Sequence, residues 1–383
     1  MTLQEILSNE ELRHHEFPVT RDKIFLAHAA VCALPRRVAE AIRRCAEEGT
    51  HDDQEVAYAP SRIVQARKTA AQLLGATPEE IAFVGPTSLA LSYVAAGLPW
   101  RKGDNVLLYF EDYPSNVYPW TALALRGVEA RLLNIREYGR IRPMDVIGQV
   151  DEQTRLVALA SNHFVAGFRL DFAAIGAALR ERNILFCVDG IQTLGAFPTE
   201  ARHFDFLAAD AHKWLLGPCG AGLFYIRKSA QETLRPIVFG WHNVRCADFV
   251  AQEQFAHPPD ARRYEAGSAS IVGLAGLQAS MELLLEIGID NIAAELLRKR
   301  ALLVPALRDK GYTVLQSEAA PSNASAIISF YRPGEDMAAL HQQLRDAGIE
   351  TSLRTDRAAQ KYIRLSPHFY NTDAELRRTL ETL

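Results

Sequence analysis

The stretch 184–222 constrains this chain more than any other. It opens on Ile184-Leu185-Phe186-Cys187-Val188, an unbroken apolar run, and stops at Asp189-Gly190. A run without polar alternation is what a parallel strand buried on both faces requires. A second short apolar run, 204–209, leads into Asp210-Ala211-His212-Lys213. In open α/β sheets ligands sit outside the carboxyl ends of the strands. A carboxylate at the end of one strand and an amine just past the next are therefore expected to face one cavity.

That pairing suits pyridoxal 5'-phosphate (PLP). The cofactor needs an amine to hold its aldehyde as a Schiff base. It also needs an anion against its pyridine nitrogen, so that the protonated ring acts as an electron sink. Lys213 would be the amine and Asp189 the anion. Gln192 is placed to reach the phenolic oxygen, and His212 to donate to the phosphate. Taken alone, the same residues also fit an ordinary nucleotide-binding sheet with an incidental surface lysine. However, no GxGxxG or GxxxxGK[ST] pattern follows a strand.

Val188-Asp189-Gly190-Ile191-Gln192 followed by His212-Lys213 resembles the signature of class V (cysteine-desulfurase-like) aminotransferases of fold type I. The likeness runs from His28 to Asn371 and is nearest in pattern to isopenicillin N epimerase-like and selenocysteine lyase-like members. It implies a mostly parallel α/β sheet in a large PLP-binding domain, 23–268, and a smaller α+β domain, 269–383. Residues 1–22 would pack with the smaller domain. The length of 383 residues suits two cores better than one.

Further motifs take their roles from the same resemblance. Gly85-Pro86-Thr87-Ser88 lies between an apolar strand and a helical pattern, and a helix N-terminus is a ready anion site. The resemblance assigns Thr87 and Ser88 to the phosphate. Tyr113, just before Ser115-Asn116-Val117-Tyr118-Pro119-Trp120, stands where relatives stack an aromatic on the ring. The turn Ser161-Asn162-His163 supplies a polar group near the phenolic oxygen. His163 is the residue carried forward, with Asn162 equally open. Gly267-Ser268 stands where relatives reach the phosphate of a neighbouring subunit, which implies a homodimer. Arg364, in Arg364-Leu365-Ser366-Pro367-His368-Phe369-Tyr370-Asn371, matches the arginine that grips the substrate α-carboxylate. A planar fork of donors suits that task. Arg354 is a second candidate, and His28 a pocket candidate that reads equally well as a satisfied loop histidine.

Composition removes several classes. Net charge is −4 with no strongly basic segment, so a nucleic-acid or anionic-membrane partner is not expected. No signal peptide and no membrane-spanning apolar run is read. Five cysteines, scattered and without CxxC, fit reduced cytoplasmic thiols and no metal site.

Two departures from the family pattern matter. Asp210 stands where relatives carry Ser or Thr near the phosphate, so it must turn away, be paired or be protonated. Cysteine desulfurases use a mobile cysteine just ahead of the arginine motif, and none lies between Ser352 and Arg364. Desulfuration is therefore disfavoured. The expected activity is aminotransfer on an amino acid through Lys213, with a β-elimination lyase or an epimerase as alternatives. A non-catalytic partner protein of the same fold is the alternative of another class. It would have no need of Lys213, Asp189, Gln192 and Arg364 together.

Overall fold

The computed structural model describes residues 1–254 and 256–383. Its strands are β1 (Ile24–Phe25), β2 (Ile81–Val84), β3 (Asn105–Leu108), β4 (Glu129–Leu132), β5 (Thr154–Ala160), β6 (Leu185–Asp189), β7 (Phe206–Asp210), β8 (Gly222–Ile226), β9 (Thr313–Val314), β10 (Ile328–Tyr331), β11 (Ile349–Glu350), β12 (Ser352–Thr355) and β13 (Lys361–Leu365). Seven of them form one sheet in the order β2-β8-β7-β6-β5-β3-β4. β8 runs antiparallel to both neighbours, and the other pairings in this sheet are parallel. This is the mostly parallel sheet expected of fold type I.

The unbroken apolar runs arise because both faces of this sheet are covered. Successive strand residues point to opposite faces. Phe186 and Val188 of β6 enter one apolar cluster, together with residues of the helices Pro60–Leu74, Phe172–Glu181 and Ile271–Ile287. Cys187 enters the other cluster, against the helix Thr87–Gly97. A third cluster fills the C-terminal part around the antiparallel sheet β12-β13-β10-β9.

The N-terminal residues pack onto C-terminal ones. Arg13 pairs with Glu375 at 2.7 Å, and Phe17 stacks on Tyr370 at 4.0 Å. β1 pairs with β11, and Ala27 bridges to Ser366. These crossings bring the 28–31 turn and the β12–β13 hairpin to the same end of the main sheet.

In the sequence Ser61 and Asp290 read as helix N-caps, and the structure corrects both readings. Ser61 does not cap its helix, because Pro60 already opens it and Ala59 takes the cap position with φ 41°. Asp290 lies inside the first turn of the helix Ile289–Asp309, whose cap position falls on Gly288 with φ 90°. The sequence of the connection 235–267 shows no periodic pattern that assigns its elements; among its described residues it carries two short 3-10 turns, Ala247–Phe249 and Ala261–Tyr264. Asn243 braces it by donating to the carbonyls of Val238 and Arg263 and accepting from Gly240 N–H. Such side-chain bracing has no periodic signature. Phe255 lies outside the described residues. Among the described residues no single helix is long and apolar enough to cross a membrane.

A buried ion pair fixes the end of this connection. Glu265 takes bonds from Arg67 at 2.7 and 3.0 Å, and from the backbone N–H of Phe83 in β2 at 2.7 Å. Removing one partner strands the other charge in the core. Glu265→Ala is expected to lower unfolding free energy by about 3 kcal/mol, read from urea denaturation, with a much smaller loss for an exposed pair such as Arg43–Glu47.

Candidate active site

The site follows from which strand ends meet. β6 and β7 are adjacent and parallel, with Asp189 in register with Ala208. Their carboxyl ends open on a cavity of about 320 Å³, within the range for small-ligand pockets. Asp189 and Lys213 both line it, with Thr87, Ser88, Tyr113, Gln192, His212, Arg354 and Arg364.

Among the described residues no ion pair involves Lys213. The residue is 7% exposed, and its Nζ sits 5.2 Å from the Tyr113 ring centroid. Burial pulls its pKa down to about 8, partly opposed by Asp189 and reinforced by Arg364 and Arg354. Asp189 is buried and accepts the N–H of Ile191 at 3.1 Å. Burial pushes its carboxyl up, while that N–H, Lys213 and His212 act the other way. An amine and a carboxylate thus face one cavity without closing on each other, which leaves room for a molecule between them.

The remaining wall is built from local chemistry. The helix Thr87–Gly97 starts at the cavity with no side-chain cap, so its first N–H groups are free to meet an anion. Thr87 Oγ1 accepts the backbone N–H of Asp210 at 2.9 Å, which leaves its own proton to donate. Asp210 is paired, the second of the three outcomes its position allowed. It accepts from Ala211 N–H at 2.7 Å and Gly220 N–H at 3.1 Å, and lies 3.0 Å from His212 Nδ1. Gln192 is held by Trp214, which donates at 2.8 Å, and by its own bond to Ala29 O at 3.1 Å. One amide hydrogen remains for a ligand. Tyr113 is half exposed, with Phe164 edge-on at 5.4 Å.

Three candidates fall outside this wall. His28 does not line the cavity. It is fully buried between Ser366 O at 2.8 Å and Tyr370 Oη at 2.7 Å, and burial lowers its pKa to about 4. Ala29, Ala30 and Val31 line the cavity in its place. His163 is also not at the wall: Nε2 meets Glu111 O at 3.0 Å, and Nδ1 accepts from Val165 and Ala166 N–H. Its neighbour Asn162 is fully buried with neither amide atom hydrogen-bonded. Of the two residues left open in this turn, Asn162 is the one with bonding capacity to spare. Ser268 lies at a different cavity with Leu89, Gly267 and Ser270, and donates to Glu55 at 2.7 Å. Phe164 lines the site without any prior signal in its own identity, and Ser115, marked in the sequence only as part of its motif, lines it too.

A family model, aminotransferase class-V, matches residues 24–379. The chain belongs to the aminotransferase class-V family. Relatives of this class-V chain include a probable cysteine desulfurase of Methanothermobacter thermautotrophicus, 28% identical over 98% of both chains. An uncharacterized aminotransferase, YcbU, of Bacillus subtilis is 26% identical over 96% of this chain and 95% of its own. In fold, the chain matches an apo cysteine desulfurase from Thermococcus onnurineus NA1 with TM-score 0.88 and 23% identity, covering 97% of this chain and 96% of that one. It matches the cystine C–S lyase C-DES with TM-score 0.84 and 23% identity, covering 95% and 98%.

The class-V cofactor is PLP, and the residues present fit it. A free buried amine, a buried carboxylate, the spare amide hydrogen of Gln192 and an uncapped helix start correspond to its aldehyde, ring nitrogen, phenolic oxygen and phosphate. Where a desulfurase carries its mobile cysteine loop, this chain has a tight turn, 356–360. Asp356 carboxylate oxygens accept from Gln360 N–H at 2.9 Å and Tyr362 Oη at 2.7 Å. Among the described residues no cysteine lines the cavity.

A lowered amine pKa has a kinetic consequence. A lysine at its ordinary 10.5 is almost wholly protonated at neutral pH, whereas one at about 8 is half free at pH 8. Capture of PLP by the apoprotein is expected to accelerate roughly fivefold between about pH 7 and 8 and to level off above about pH 9, followed by absorbance. A rate still climbing steeply at about pH 10 would mean that the amine is not depressed.

Proposed function

We propose that the protein is a PLP-dependent aminotransferase acting on an amino acid. The observation that carries the reading is the unpaired, buried Lys213 amine facing Asp189 across a cavity that Arg364 also lines. Bound there, the cofactor supplies an electron sink for charge developing at the substrate α-carbon. Asp189 keeps a proton on the ring nitrogen, and that cation in turn favours the ionised carboxylate that burial opposes. Lys213, with a pKa near the working pH, takes the α-proton and returns it. Arg364 orients the α-carboxylate with its free Nε, while its other nitrogens are anchored on Phe164 O at 2.6 Å and Ser352 Oγ at 3.3 Å. Thr87, Ser88 and His212 hold the phosphate, and Tyr113 covers the ring face.

A second reading, β-elimination, is favoured by one observation. Among the described residues the cavity has no thiol to accept sulfur, so a sulfur-bearing substrate would leave its sulfur on a free product. Epimerisation begins with the same proton removal and needs a proton delivered to the opposite face of the α-carbon. A homodimer belongs to the proposal. Exposed Leu89 lines the cavity that holds Ser268, and Val238, Trp241 and Val272 are further exposed apolar residues, a surface suited to a second copy that would bring Ser268 to the partner's phosphate. A reduced cytoplasmic setting fits the five free cysteines.

An amino-acid panel, assayed for oxo acid with and without an added oxo-acid acceptor, separates these activities. Acceptor-dependent oxo acid is expected, and it should vanish in Lys213→Ala. Oxo acid released with ammonia and no acceptor would transfer the reading to the lyase. Asp189→Asn is expected to keep the PLP adduct but lower kcat by about a hundredfold or more, since a neutral ring is a poor sink. A loss of less than about threefold would remove Asp189 from the chemistry.

A further inference from the structure

Two guanidinium groups enter the cavity, and neither has an acid to answer it. Among the described residues no carboxylate lies within ion-pair distance of Arg354 or Arg364. Both Nε atoms are buried without a partner. Arg354 otherwise donates only to the Leu353 carbonyl, at 3.4 Å. Their placement comes from the hairpin. Ser352 is opposite Arg364, and Arg354 is opposite Tyr362. Arg354 and Ser352 share a strand face, so Arg354 is the diagonal neighbour of Arg364 on one side of the sheet. Diagonal neighbours stand about 7–8 Å apart along the backbone, within reach of long side chains.

Like charges so placed raise the cost of burial, and only an incoming anion relieves it. A single α-carboxylate occupies the fork of Arg364. The helix start at Thr87 provides for the phosphate on a different element. One cation is left over, a short distance along the same face.

We propose that the cavity takes amino acids bearing a second acidic group, with Arg364 holding the α-carboxylate and Arg354 the distal acid across a short methylene spacer. This rests on the amino-acid reading above and adds the class of amino acid. It also gives the two-stage reaction a natural amino donor, since an acidic amino acid and its oxo acid present the same pair of anions.

The test uses unreactive acids on PLP-loaded protein, so it does not depend on turnover. Glutarate and butyrate share a carbon chain and differ in the second carboxylate. Binding is read by calorimetry and by the shift of the cofactor absorbance. Wild type is expected to bind glutarate about tenfold or more tightly than butyrate, the worth of one charge-assisted contact. Arg354→Met should erase that ratio, Arg354→Lys should keep part of it, and Arg364→Met should weaken both acids. Equal affinities in wild type would overturn the proposal. So would Arg354→Met weakening both acids by one factor, which would mean that the two arginines clamp a single carboxylate. Turnover of neutral amino acids with no advantage for acidic ones would sink this inference and leave the aminotransferase reading standing. Failure of every acid to bind, with no amino acid turned over, would sink both.

Discussion

Lys213 is buried without a counter-charge, and the rest of the site is arranged around that fact. A buried ammonium is costly, so the amine sheds its proton at a pH where other lysines keep theirs. Asp189, which favours the charged amine across the cavity, accepts the Ile191 N–H at the end of its own strand instead of closing on it. The parallel pairing of β6 and β7 fixes both ends at one level of the sheet. A molecule carrying an aldehyde and a basic ring nitrogen satisfies both groups at once, which neither can do for the other.

The surrounding polar network frees donors rather than using them up. Asp210, which would repel a phosphate, is tied down by two backbone N–H groups, with His212 Nδ1 3.0 Å away. Thr87 accepts from the Asp210 backbone and so keeps its proton for a ligand. Trp214 fixes Gln192 from behind. At the other end, Arg364 is anchored on a carbonyl and a hydroxyl, which position the guanidinium without neutralising it. These are the contacts of a site prepared for anions and for a ring.

Much of this was legible in the sequence because burial on both sheet faces writes itself as unbroken apolar runs, and strand ends place polar residues at the ligand. Asp189, Lys213 and Gln192 could be placed on that basis, and Thr87 through the family resemblance. His28 and His163 could not, because a histidine at a strand end looks the same whether it faces a ligand or bonds a carbonyl. Only the crossing of Ser366 and Tyr370 with the 28–31 turn shows that His28 is spent. The spare capacity of Asn162 and the shared face of Arg354 and Arg364 depend on long-range pairing, which local pattern does not carry. The connection 235–267 was opaque because Asn243 and the Glu265 pair hold it, without any repeat.

The most direct measurement is borohydride reduction of the PLP-loaded protein followed by peptide mapping with mass spectrometry. A single pyridoxyl group on the peptide carrying Lys213 is what the account requires, at one equivalent per chain. Label spread over exposed lysines with Lys213 unmodified would contradict it, and would leave the fold without the chemistry assigned to it.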